Sequence, residues 1–221
     1  MVVPTLNESQ NIRQTLESLQ PCRLEGAEVI LVDGGSTDDT VNLANSLVDK
    51  LVVTGAGRAV QMNAGAQATD PRTEVLLFLH ADTQLPPQFL QELAVFRRTE
   101  KGWGAFDVKL DNSRLMFHVI AFMINLRSWL SDICTGDQAI FLKKNLWDDV
   151  AGYDDMPLME DIALCKKLKQ KSQHYRIRKP VITSARRWLK RGVWKTIWLM
   201  WMLRWKYWRG VSPASLADLY R

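Results

Sequence analysis

The stretch Val75-Leu76-Leu77-Phe78-Leu79-His80-Ala81-Asp82-Thr83 carries an unbroken apolar run up to a carboxylate, and the chain turns soon afterwards at Pro86-Pro87. A short apolar run without alternation, bounded by turn signals, reads as a strand buried on both faces of a largely parallel sheet. Ligands of such sheets bind beyond the strands' carboxyl ends. Asp82 then stands at the rim of a ligand crevice as a hard oxygen donor suited to Mn²⁺ or Mg²⁺ bridging to phosphate. The alternative is that Asp82 or Thr83 only starts the helix after Pro86. A carboxylate pair, Glu160-Asp161, opens a second helix bearing Ile162, Leu164, Cys165 and Leu168. Acidic residues in a first helical turn are favoured by the helix dipole, so this pair reads either as helix stabilisation or as acid–base machinery. Between the two lies Thr135-Gly136-Asp137-Gln138, ahead of an apolar strand over 139–142, where a Gly-Asp pair is also ordinary turn chemistry.

The elements that must position these groups alternate in type. Val2-Val3 is a strand end, and residues 4–9 lead into a helix with Ile12, Leu16 and Leu19. A strand over 27–32 ends at Asp33-Gly34-Gly35-Ser36-Thr37-Asp38, a helix follows, and a strand over 51–53 passes through Gly55-Ala56-Gly57-Arg58 into a helix containing Met62, Ala64 and Ala66. Strands alternating with helices imply βαβ units and an α/β sheet. Polar, Gly-bearing loops at strand ends present backbone N–H groups to a nucleotide. The G-x-G-x-x-G dinucleotide fingerprint is absent after the first strand, and no G-x-x-x-x-G-K-[ST] phosphate loop occurs. A helix over 87–98, a strand over 103–109 and an apolar helix around 115–124, either buried or surface-embedded with core burial favoured, complete the plan.

The 221 residues suit one domain with an appendage. The formal charge of +5 gathers after Lys166, which implies an anionic partner. Three cysteines, Cys22, Cys134 and Cys165, show neither a disulfide framework nor zinc spacing, in keeping with a reducing, cytoplasmic setting. No signal peptide is visible, and no run reaches the ~18 apolar residues of a bilayer span.

Taken in order, Pro4-Thr5-Leu6-Asn7-Glu8, Val32 to Asp38, Gly57-Arg58 with Asn63-Ala64-Gly65-Ala66, His80-Ala81-Asp82, Gly136-Asp137-Gln138 and Glu160-Asp161 resemble glycosyltransferase family 2, over about residues 2 to 168. The resemblance implies a GT-A fold, with a mixed, mostly parallel central sheet flanked by helices. It implies a nucleotide-diphosphate sugar donor, with UDP-sugars favoured and guanosine next. Pro4 and Glu8 would line the base and ribose pocket, Asp33 would accept a hydrogen bond from the base, Arg58 would lie near base or diphosphate, and Asp82 would bind Mn²⁺ or Mg²⁺. Gly136, Asp137, Gln138 and Glu160 would face acceptor and donor sugar, and Asp161 would be the general base of an inverting single displacement. Two departures stand out: the family's Asp-x-Asp is His80-Ala81-Asp82, and its paired aspartates are Asp33-Gly34. His80 adds no charge; it would bond a ribose hydroxyl, serve as a structural hydrogen-bonding group or, the least favoured of the three, ligate the metal, and one carboxylate implies weaker metal binding than two. The His-Ala-Asp-Thr and Thr-Gly-Asp-Gln variants are similar to those of a bacterial subgroup of transferases associated with radical-SAM and selenium-domain proteins.

These readings divide the chain into a catalytic domain over 1–185 and a basic, Trp-rich amphipathic tail over 186–221. At about 100° per residue, Trp194, Trp198, Trp201, Trp205 and Trp208 fall within an arc of roughly 80°, flanked by Lys195, Arg204, Lys206 and Arg209. A tryptophan face bordered by cations suits the headgroup level of an anionic membrane and is too short and charged to span it. The alternative is that the stripe packs on the catalytic domain or on a second copy in a homodimer. Arg186-Arg187 would reach the diphosphate or extend the basic face. The expected protein is thus an inverting glycosyltransferase at the inner face of the cell membrane, with an unknown, lipid-linked or membrane-borne acceptor. A degenerate, non-catalytic nucleotide-sugar or membrane-binding module is the alternative from another class. A sugar-phosphate nucleotidyltransferase is disfavoured because its Gly-rich basic N-terminal loop is missing. Nucleic-acid binding is disfavoured because no recognition motif accompanies the basic residues.

Overall fold

The structure, a computed structural model, describes residues 1–220. In chain order the strands and helices are β1 (Val2–Thr5), α1 (Ile12–Ser18), α2 (Gln20–Leu24), β2 (Ile30–Asp33), α3 (Thr40–Ala44), β3 (Lys50–Val53), α4 (Arg58–Gln67), β4 (Val75–Leu77), β5 (Thr83–Gln84), α5 (Phe89–Arg97), β6 (Trp103–Leu110), α6 (Leu115–Ser131), β7 (Phe141–Lys143), α7 (Lys144–Asp149), α8 (Glu160–Lys171), β8 (His174–Thr183), α9 (Arg186–Arg191), α10 (Val193–Trp208) and α11 (Pro213–Tyr220). Strands β1, β2 and β3 form a parallel sheet, and a second sheet runs β4-β7-β6-β8-β5. A parallel bridge from Val2 to Phe78, with the Leu79 N–H donating to the Val2 carbonyl at 3.0 Å, sets β4 beside β1 and joins the two. The whole is mixed: β6 and β8 are parallel, whereas β4–β7, β6–β7 and β5–β8 are antiparallel.

Helices cover both faces of β1, β2 and β4, which is why these strands are apolar without alternation. Val3, Leu31, Leu77 and Leu79 face one core with Ile12 and Leu16 of α1. Val2, Ile30, Val32, Leu76 and Phe78 face the other with Ala59, Met62 and Ala66 of α4. Helix α4 lies close on the sheet because Gly65 has no side chain; a Cβ there would sit 2.3 Å from a Val2 methyl carbon.

One expectation changes, and one alternative drops out. The helix around 115–124 runs on to Ser131, and core burial accounts for only one side of it. Phe117, Ile120 and Ala121 are buried, whereas Leu115, Phe122 and Leu130 are 78%, 63% and 70% exposed. The sequence carries no alternation there to distinguish the two sides. The tryptophan stripe does not pack on the domain: its five members are 57–76% exposed, and the opposite side of α10 is the one that docks. There Leu203, fully buried, clusters with Leu216 of α11 and with Met159 and Ile162 at the start of α8. Among the described residues no helix is long and apolar enough to cross a membrane.

Candidate active site

A cavity of about 2070 Å³ opens at the carboxyl ends of β1 and β4 and reaches the start of α8, the turn ahead of β7, and the facing sides of α6 and α10. One wall comes from the N-terminal half. Pro4, Glu8, Arg58, His80 and Asp82 all line it, as expected. Gln61, on α4 and also lining the cavity, donates from Nε2 to the carbonyls of Thr5 at 2.7 Å and Val32 at 2.8 Å, tying together the ends of β1 and β2. Burial raises the Asp82 carboxyl above its ordinary value, and Glu8 adds to that; Arg186, Arg187 and Arg58 pull the other way. Arg186 is fixed in place by Glu8, whose two oxygens it reaches at 3.1 Å. The hydrogen bond to the Asp82 side chain is a long one, from Thr83 Oγ1 at 3.5 Å, so the carboxylate is open to a ligand.

Among the described residues no three His, Cys, Asp or Glu side chains gather as a metal cage. What is present is the Asp82 carboxylate, with Glu8 nearby but engaged by Arg186, beside cationic side chains. That fits a divalent cation held by one protein ligand, with substrate phosphate and water completing its shell, as is usual for Mg²⁺.

The opposite wall carries Gly136, Asp137, Glu160 and Asp161. Asp161 is positioned by backbone donors: Oδ2 accepts from the Gly136 N–H at 3.0 Å and Oδ1 from the Ile162 N–H at 2.7 Å. Burial raises its carboxyl, and the Gly136 N–H and Arg204 oppose the rise. Glu160 is 6% exposed. Burial first and the Asp161 charge second push its carboxyl up to about 7. Met159, just before the pair, holds φ +69 in the left-handed region, a costly conformation for a non-glycine residue. The approach of the two walls depends on Gly136, where a Cβ would stand 2.4 Å from His80 Nε2. Burial and the charges of Arg58 and Arg187 lower His80 well below its ordinary value, so its imidazole is neutral.

Two predicted site residues have structural work instead. Asp33 is 2% exposed, and its oxygens accept from the Gly35 and Ser36 N–H groups at 2.9 and 2.8 Å and from Ser36 Oγ at 2.5 Å; it shapes its own loop and does not line the cavity. Gln138 is likewise buried, accepting from Ser128 Oγ at 2.7 Å and donating to the Phe106 carbonyl at 3.3 Å. The cause is the same in both: a polar side chain sealed beneath a tight turn must satisfy itself locally. Asn63 also acts at a distance, exchanging two hydrogen bonds with the Tyr153 backbone at 2.9 and 3.0 Å and so holding the loop that leads to Glu160. Sequence reading passed over Arg127 of α6, which lines the cavity, and took Arg204 only as a flank of the tryptophan stripe. An arginine in an apolar helix is the signal that would have found both.

The sequence profile of glycosyl transferase family 2 matches residues 1–152. Similar curated proteins include the PGL/p-HBAD biosynthesis glycosyltransferases of Mycobacterium bovis and Mycobacterium tuberculosis, 28% identical over 179 residues, with 70% of this chain and 62% of theirs covered. The chain therefore spans less than two thirds of their length. Among solved structures, S. aureus TarS in complex with UDP-GlcNAc superposes with a TM-score of 0.63 at 18% identity, covering 83% of this chain and 57% of that one. The mannosyltransferase PcManGT from Pyrobaculum calidifontis, in complex with GDP-Man and Mn²⁺, gives 0.64 at 21% identity over 83% and 55%. Glucosyl-3-phosphoglycerate synthase from Mycobacterium tuberculosis, with Mg²⁺ and UDP, gives 0.59 at 17% identity over 81% and 68%. These likenesses carry the fold, and the profile match over most of the chain decides the rest: the chain belongs to glycosyl transferase family 2.

Proposed function

We propose that the chain transfers a sugar from a nucleotide-diphosphate sugar, with UDP-sugars favoured, to an acceptor hydroxyl with inversion at the anomeric carbon. The observation that carries this reading is the single cavity whose opposite walls hold the Asp82–Arg58–Arg186 cluster and the Glu160–Asp161 pair. The base and ribose lie along Pro4 and Glu8. The diphosphate lies by Arg58, Arg186 and Arg187, whose guanidinium groups offset its charge. Asp82 would hold Mn²⁺ or Mg²⁺, which when bound supplies further charge stabilisation to the departing diphosphate.

Asp161 takes the acceptor proton as the acceptor oxygen attacks the anomeric carbon from the face opposite the diphosphate, and a general base in this position contributes ~10²–10⁴-fold. The Gly136 N–H fixes the orientation of that carboxylate. The raised Glu160 carboxyl keeps the site from carrying two full negative charges side by side below about pH 7. Within the family, the His80-Ala81-Asp82-Thr83 and Thr135-Gly136-Asp137-Gln138 variants favour the radical-SAM-associated bacterial subgroup. The exposed tryptophan face of α10, with Lys195 and Arg209 beside it, supports docking at an anionic membrane surface.

The test is a thermal-shift screen of the purified chain with UDP-, GDP- and dTDP-sugars, with and without Mn²⁺. Metal-dependent stabilisation by one nucleotide is expected. No shift from any of them on folded protein would leave the degenerate-module reading in its place.

A further inference from the structure

The cavity is larger than a donor site requires, and its character changes along its length. From the carboxylate pair it continues between α6 and α10 as an apolar groove lined by Met116, Val119, Met123, Leu130, Ile197 and Met200. The groove ends among Trp194, Trp201 and Trp205, at the exposed face of α10. At its inner end stand two arginines, Arg127 from α6 and Arg204 from α10, with Asp161 and Asp137 also lining the cavity.

Neither arginine forms a salt bridge among the described residues. Arg127 Nη2 reaches only hydroxyls, Ser128 Oγ at 3.2 Å and Thr135 Oγ1 at 3.4 Å. Its Nε is buried without a hydrogen-bond partner, as is Asp137 Oδ1. The Arg204 guanidinium makes no hydrogen bond among the described residues. Burial lowers both guanidinium groups below their ordinary value, Arg204 to about 10, with the Arg127 charge adding to the fall at Arg204; Asp161 and Asp137 pull the other way at both. Guanidinium stays charged in proteins, so the two are buried cations without an ion pair, beside an apolar wall. A planar fork with free N–H donors matches a phosphate oxyanion.

We propose that the acceptor is an anionic amphiphile: its phosphate sits on Arg127 and Arg204, its apolar chain lies in the α6–α10 groove, and the chain emerges at the tryptophan face toward the membrane. This rests on the glycosyl-transfer reading above, since it places a hydroxyl of the head group, whose proton Asp161 takes as the oxygen attacks, beside that carboxylate. It also gives the exposed side of α6 and the stripe of α10 a common purpose, because a lipid drawn partly out of a bilayer needs an apolar path from surface to base. The donor diphosphate has its own cations in Arg58, Arg186 and Arg187, so donor and acceptor phosphates occupy separate sites.

Binding is measured calorimetrically on the full chain with three probes: dodecyl phosphate, dodecyl maltoside as an uncharged head group on the same chain, and inorganic phosphate. Dodecyl phosphate is expected to bind roughly 30-fold or more tightly than either control, the scale of a desolvated charge pair. It should bind equally well in saturating UDP and Mn²⁺. The Arg127→Met/Arg204→Met variant should lose the preference over dodecyl maltoside while binding UDP as before, and Arg204→Lys should retain most of it. Equal binding of the uncharged amphiphile, equal binding of inorganic phosphate, or mutual exclusion with UDP would each overturn the proposal, and all three are read on the unmodified protein. Loss of UDP binding alone would instead refute the donor reading, which the same titrations report separately.

Discussion

Glu160 offers the sharpest test of the electrostatics at the carboxylate pair. Its carboxyl lies at about 7 in the folded chain against an ordinary 4.5. Between those values the folded protein holds a proton that the unfolded chain has released, so stability falls as pH rises through that window. At about 1.4 kcal/mol per pH decade the difference corresponds to ~3 kcal/mol, fully expressed above pH 7 and absent below pH 4.5. Glu160→Gln replaces the group by a neutral one of the same shape. The variant should therefore match the parent near pH 4.5 and exceed it by ~3 kcal/mol at pH 8, a rise of roughly 6–12 °C in Tm for a domain of this size. Scanning calorimetry of both proteins in steps across this range measures the difference directly. A pH-independent gain, or none at pH 8, would show that Glu160 is ionised at ordinary cost. The reasoning from its burial and from the neighbouring Asp161 would then fail.

Asp161→Asn should lower transfer by ~10²–10⁴-fold and leave UDP binding unchanged, as read by initial rates alongside calorimetric titration. Asp82→Asn should remove the Mn²⁺-dependent part of the thermal shift given by the nucleotide while the unliganded protein stays folded; an unchanged metal effect would take Asp82 out of that role. Gly136→Ala places a methyl 2.4 Å from His80 Nε2, so it should cost ~1–3 kcal/mol in urea unfolding, with the loss recovered when His80→Ala is added. Leu203→Ala, at a fully buried contact between α10 and the start of α8, should cost ~2–5 kcal/mol and make the tail more readily proteolysed.

The alternation of strands and helices, and the family motifs from Pro4 to Asp161, were legible in the sequence because they are local. An apolar run, a glycine before a helix or a carboxylate at a strand end follows from a few neighbouring residues. That is why Asp82 and Asp161 are recognisable in the sequence; the structure shows that both line one cavity. Asp33 and Gln138 carry family motifs as well, yet whether a polar side chain faces a ligand or closes on its own turn depends on how the loop is sealed from above. Only the tertiary structure decided that. It also decided that the tryptophan side of α10 faces outward while Leu203 docks beside Met159, since an all-round apolar helix does not say which side is bound. Above all, it brought together Arg127 and Arg204, separated by much of the chain and each unremarkable alone. Their meaning lies in the shared burial and lack of ion pairs that the packing of α6 near α10 creates.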